Sequence, residues 1–170
     1  MTQSRFNAFS LSPTEARHRG AATLAALALA LAAAGCGGGG RLSKSQYEQH
    51  FGSDSQAISK AIKPLITLPS SLEELVSELK LGEAQLHNAA NDLDRVNPPK
   101  DIEKDNKTLV KGLRKFADEV QSFRKAAEKR DPQLVQKTLA ELRNSDALVN
   151  VRDATNDMKR KGYKLETVAQ

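Results

Sequence analysis

Cys36 is the only thiol in a chain of 170 residues. It cannot form an internal disulfide, and one cysteine cannot supply the Cys-x-x-Cys-His of a haem attachment. Its remaining chemistry is that of a nucleophile or a site of covalent modification. Glu83 and His87 stand four residues apart, a spacing that brings a carboxylate and an imidazole to one helix face and to one metal ion. Carboxylate-type metal sites in helical bundles use Glu-x-x-His pairs with further carboxylates from other helices, and no Glu-x-x-His occurs here. The plainer reading of Glu83–His87 is a surface i,i+4 pair, and His50–Asp54 reads the same way. Basic doublets recur at Arg114-Lys115, Arg124-Lys125 and Lys129-Arg130. With Lys159-Arg160-Lys161 they suit anionic lipid headgroups or acidic wall polymers. Asp118, Glu119 and Glu128 interrupt that face, and a charge-rich solvated helix shows the same pattern. Ser71, Ser122 and Ser145 lie in no Gly-x-Ser-x-Gly context, so a serine nucleophile is not indicated.

The position of Cys36 says more than its chemistry alone. It closes the run Leu31-Ala32-Ala33-Ala34-Gly35-Cys36, after a basic region ending in Arg17-His18-Arg19 and an uncharged apolar stretch from Gly20 to Ala34. The small residues Ala33, Ala34 and Gly35 before the cysteine resemble the lipobox of bacterial lipoproteins. That resemblance implies a diacylglycerol on the Cys36 sulfur, cleavage before Cys36, and residues 1–35 as a removed signal peptide. The lipid partner is then the membrane itself, since two or more acyl chains hold a protein stably where one does not.

Two other readings of the segment remain open. Cleavage after Ala32-Ala33-Ala34 frees a soluble exported protein, at the cost of a lone thiol open to oxidation. An uncleaved span is short: about fifteen residues rise only ~23 Å, against a hydrocarbon core of ~30 Å. Arg17 and Arg19 are split by His18, so no twin-arginine export signal is present. Residues 36–42 are expected to be the lipidated cysteine and a glycine-rich tether of about 13 Å root-mean-square span. The four glycines do not read as a phosphate loop, because no strand precedes them and no Gly-Lys-Ser/Thr follows.

Without residues 1–35 the chain has 135 residues, enough for one domain, expected over 43–166. It carries 23 basic and 20 acidic side chains, a net of +3, which is too mild to argue for nucleic acid. There is no tryptophan and few other aromatics, so a sugar-stacking cleft is not expected.

Apolar spacing is helical throughout, with no sustained period of two. A first helix is capped by Ser43 with Gln46 as a capping box, carries Tyr47, Phe51, Ile58, Ile62 and Leu65, and is limited by Pro64, with a break possible at Gly52-Ser53-Asp54. A second follows Ser71 and Glu74, carries Leu72, Leu75, Leu79, Leu86, Leu93 and Val96, and stops at Asn97-Pro98-Pro99. A third runs from Ile102 through Leu109, Leu113, Phe116, Val120 and Phe123 to Ala127. A fourth starts at Asp131-Pro132, continues through Val135, Leu139, Leu142, Val149 and Met158, and ends at Gly162. The fold class is all-α, expected as an up-down-up-down four-helix bundle. Residues 70–96 net −4 and residues 98–130 net +4, which favours pairing of the second helix with the third, although two solvated faces read equally well. Asn88, Asn91, Asn106, Asn144 and Asn150 are many for helices, and most are expected to face solvent.

The pattern Cys36-Gly-Gly-Gly-Gly-Arg41-Leu-Ser43-Lys-Ser-x-Tyr47 is similar to the start of small lipoproteins of high-GC Gram-positive bacteria. Val96-Asn-Pro98-Pro99-x-x-Ile102 through Leu109-Val110-x-Gly-Leu113 is similar to their middle, where a double proline leads into a long helix. In some of those relatives histidine stands at the position of Asn106, and its absence here argues further against a metal. The resemblance carries no activity. In a Gram-negative cell, Gly37 in place of aspartate after the cysteine implies the outer membrane. The expectation is a lipid-anchored extracytoplasmic bundle without enzymatic activity or cofactor, which binds an envelope protein or polymer or serves a structural role. The alternative is a ligand- or metal-sensing bundle using Glu83 and His87.

Overall fold

A computed structural model describes residues 40–67 and 69–165. Among them the protein is all-α, with five α-helices and one 3-10 turn and no strand. The helices are α1 (Lys44–Ile66), α2 (Leu72–Arg95), α3 (Glu103–Glu128), α4 (Pro132–Arg143) and α5 (Asp146–Arg160), and the 3-10 turn Lys100–Ile102 leads into α3. None of the described helices is long and apolar enough to cross a membrane.

Local chemistry sets the helix ends. Ser43 accepts from the Gln46 N–H while the Gln46 side chain accepts from the Ser43 N–H, so two donors without helical partners satisfy each other's caps. Ser71 caps α2 through the Glu74 N–H, and Asp131 caps α4 through the N–H groups of Gln133 and Leu134 with Pro132 at the first turn. Helix α5 ends on Gly162 at φ 84°, with Gly162 N–H donating to Lys159 O and Tyr163 N–H to Met158 O. That pair of bonds is a Schellman closure, and it places Tyr163 back against the core.

Two expectations about helix continuity are corrected. Gly52 does not break the first helix: α1 runs unbroken from Lys44 to Ile66, with Pro64 inside its last turn. Burial of Tyr47, Phe51 and Ile58 outweighs the ~1 kcal/mol that one glycine costs a helix. The expected fourth helix is two. Asn144 and Ser145 divide it, because the Ser145 side chain accepts from the N–H groups of Ala147 and Leu148 and starts a new helix.

The central element is α3, which packs against α2, α4 and α5, while α1 packs against α2. Contacts run in opposite chain directions in each main pair. Asp94 meets Arg114 and Glu83 meets Arg124; His50 meets Asp92 and Ala61 meets Gly82; Asp105 meets Lys161 and Val151 meets Gly112. Glycine allows two of these approaches. A Cβ on Gly82 would stand 2.9 Å from the Ala61 carbonyl oxygen, and one on Gly112 would stand 2.8 Å from Val151 Cγ2. The core is a single cluster of Leu, Ile, Val, Phe and Ala from all five helices or their flanks, with Tyr47, Phe51, Phe116 and Phe123 its largest fully buried members.

Candidate functional site

Cys36 and the residues before it, Ala33, Ala34 and Gly35, lie outside the described residues. Immediately after Gly40 the chain is fixed to the domain. Leu42 N–H donates to Asn97 O at 2.7 Å, and Arg41 donates to Pro98 O at 2.9 Å and to Glu103 Oε2 at 2.7 Å. Lys107 also holds Glu103, and with Arg41 keeps its carboxyl down at about 2. Arg41 and Leu42 therefore belong to the folded domain rather than to the tether, which sequence spacing alone did not suggest.

Glu83 and His87 lie on the face of α2 turned toward α3. The Glu83 carboxylate accepts from Gln121 Nε2 at 2.7 Å and from Arg124 Nε at 3.0 Å. Partial burial pushes its pKa up, but these two hydrogen bonds and the guanidinium charge hold it below the ordinary glutamate value. His87 Nε2 is 3.8 Å from Asp118 Oδ1. Each oxygen of Glu83 already has a donor, and the neighbour that supplies one is a permanent cation. A metal at this point would have to displace Arg124, and no cluster of three metal-ligating side chains occurs among the described residues.

The basic doublets do not form one exposed face. Arg114 bonds to Asn91 and Asp94, Arg124 to Glu83 and Glu128, and Arg130 to Glu73. Each is a bridge from α3 or its end to the acidic α2, so the opposite charges of the two helices meet across their contact. Of the lysines, Lys115 lies 3.9 Å from Glu119, Lys125 donates to Gln121 Oε1, and Lys129 is exposed beyond the helix end. Arg130 also takes the left-handed backbone region at φ 55°, unusual for a residue with a Cβ.

A polar network missed by sequence reasoning lies under the end of the domain where the chain enters. Tyr47 O–H donates to Asn106 Oδ1 at 2.8 Å, and Asn106 Nδ2 donates to Leu93 O at 3.0 Å, all of it buried. The Tyr47 hydroxyl also lies 3.7 Å from Met158 Sδ, so one side chain of α1 touches α3 and α5. Tyr163 packs edge-on to Tyr47 and donates to Asp101 Oδ1, and burial with that carboxylate pushes its hydroxyl up to about 12. Of the seven asparagines among the described residues, Asn106 alone is buried and the other six are exposed. Only its place on the apolar stripe of α3 marks it, three residues before Leu109.

Asp54 also departs from its expected surface role. It is only 7% exposed, and its Oδ2 has no hydrogen-bond partner. Burial, with Asp92 nearby, raises its pKa to about 6, partly opposed by His50. Away from this network, a cleft of about 400 Å³ opens between the end of α1 and the start of α2, with Lys60 and Lys63 facing Glu74 and Glu78. None of the candidate site residues read from the sequence lines it. No protein family, curated protein or solved structure matches the chain.

Proposed function

We propose that this protein is an extracytoplasmic lipoprotein: a helical domain held at a membrane through acylated Cys36, without enzymatic activity, that binds a protein or polymer of the cell envelope or serves a structural role there. The observation that carries the reading is the placement of the only cysteine directly after an uncharged apolar segment and small residues. The domain's own polar chemistry agrees with it. The interhelical carboxylates and cations are largely occupied with one another, as in Glu83–Arg124, Asp94–Arg114 and Asp105–Lys161, which suits scaffolding more than turnover. The outer membrane is the location in a Gram-negative cell, from Gly37 after the cysteine.

The test is Cys36→Ser in the native host. The wild-type protein is expected in the membrane fraction and to take up radiolabelled fatty acid, and the variant to lose both. Unchanged retention and labelling in the variant would overturn the anchor. Hydrolysis of an envelope substrate by the purified protein, abolished by one substitution, would overturn the non-enzymatic part.

A further inference from the structure

We propose that the end of the domain formed by the start of α1, the start of α3 and the end of α5 is a docking face for anionic lipid headgroups; this rests on the lipid-anchor reading. Three observations converge on that end.

The first is reach. Arg41 and Leu42 are bonded to Pro98, Glu103 and Asn97, so only four glycines in sequence separate Cys36 from the first bonded residue. Even fully extended they span at most about 14 Å. An acylated Cys36 therefore holds this end close to the bilayer, near the ~8–10 Å over which surface charge acts at physiological salt.

The second is charge. The segments 40–48, 95–107 and 159–165 carry ten basic and four acidic side chains, a net of +6, while the rest of 36–170 carries thirteen basic and sixteen acidic, a net of −3. Some of the ten are occupied: Arg41 and Lys107 share Glu103, Lys161 holds Asp105, and Arg95 and Arg160 reach back to Asp92 and Asp157. The ammonium groups of Lys44, Lys100, Lys104 and Lys164 are exposed and pair with no carboxylate among the described residues, although Lys44 Nζ lies 4.9 Å from the centre of the Tyr163 ring and the Lys164 backbone N–H donates to Glu48.

The third is that helix electrostatics oppose the placement of Lys44. Lys44 opens α1, whose first turn holds no acidic residue, whereas Lys100 and Lys104 share the start of α3 with Asp101, Glu103 and Asp105. The positive end of a helix dipole disfavours the cation at Lys44. A nearby anionic surface offsets that cost and gives the four lysines a common partner.

The mature protein, extracted from the host membrane and reconstituted into vesicles, tests this with single thiol probes at Lys100→Cys and at Lys63→Cys, about 30 Å further along the domain. A probe at Lys100 is expected to be quenched by a headgroup-attached quencher on phosphatidylglycerol vesicles, and one at Lys63 is not. High salt, phosphatidylcholine vesicles, or combined Lys44→Glu, Lys104→Glu and Lys164→Glu with unchanged circular dichroism should each weaken the quenching at Lys100. Loss of headgroup contact is expected at about fivefold per lysine removed. Equal quenching at the two sites, or no response to anionic lipid, would overturn the docking face. Binding of soluble polyphosphate with no response to vesicles would overturn it too, in favour of an acidic polymer. The mass of the mature protein separates the failures: lack of diacylglycerol on Cys36 overturns the anchor reading itself.

Discussion

Asp54 Oδ2 lies 3.8 Å from His50 Nε2, one helical turn away, and no hydrogen-bond donor reaches it. His50 instead approaches the backbone oxygen of Asp92 at 3.3 Å, so the buried carboxylate has a neighbouring imidazole but no bond from it. A buried charge without a donor opposes folding, and the raised pKa of about 6 expresses that. The folded value lies above the ordinary 3.8, so the protonated form favours the fold. That contribution is fully present below about pH 4 and is lost as pH rises through 6. The protein is therefore expected to gain stability in urea between pH 7 and pH 5. Asp54→Asn should raise stability at pH 7 by about 1–3 kcal/mol and flatten the dependence. Equal pH profiles for the two proteins would show that the carboxylate is not the cause.

The two glycines within α1 and α2 should respond to alanine with opposite signs. At Gly52 an added Cβ meets nothing within 4 Å, so Gly52→Ala should stabilise by about 0.5–1 kcal/mol through helix propensity alone. At Gly82 the same methyl stands 2.9 Å from a backbone oxygen of α1, which cannot move aside without shifting the helix. Gly82→Ala is expected to destabilise by about 1–3 kcal/mol despite the same propensity gain. Thermal unfolding of both variants decides this, and a stabilised Gly82→Ala would show that the two helices are less tightly apposed.

The contrast between these glycines also marks what could be read in the sequence. Capping residues act through neighbours two or three positions away, so Ser43, Ser71, Asp131 and Gly162 each announced a helix end that the structure shows. Apolar spacing likewise gave the all-α class. Ser145 carries the same cap chemistry, but the apolar stripe on either side continues through it and conceals the break. Gly52 and Gly82 look alike in sequence because their difference lies in another helix. Asp54 reads as a surface pair with His50 since the spacing is correct; its burial comes from packing across α1 and α2. Tyr47, Asn106 and Leu93 are far apart in the chain, and no local pattern joins them.

That join is itself open to test. Tyr47→Phe removes the donor to Asn106 Oδ1 but retains the ring in its place between Phe51 and Tyr163. The buried amide oxygen is then left without this partner, which costs about 1–3 kcal/mol. Tyr47→Phe combined with Asn106→Leu should recover part of the loss, because both polar partners are then absent. Equilibrium unfolding of the singles and the double gives the coupling. Strict additivity would mean that the hydroxyl and the amide act independently.

Two ion pairs join α2 to α3 or its end with very different exposure, and they should differ in energy accordingly. Glu83 and Arg124 are about 15% exposed at both side chains, whereas Glu73 and Arg130 are about 70% exposed. Solvent screening reduces an exposed pair to about 0–0.5 kcal/mol, while the sheltered pair, with a second bond from Gln121, should couple at about 1–2 kcal/mol. Double-mutant cycles with alanine at both sites measure this directly. The same cycle bears on metal binding, since Arg124→Ala removes the cation that occupies the Glu83 carboxylate. Wild-type protein is expected to show no thermal shift with zinc or nickel, and Arg124→Ala only a weak one that Glu83→Ala abolishes. A zinc shift in the wild type that is lost on His87→Ala would mean that Glu83 leaves Arg124 for the metal, and the sensing role would then displace the structural one.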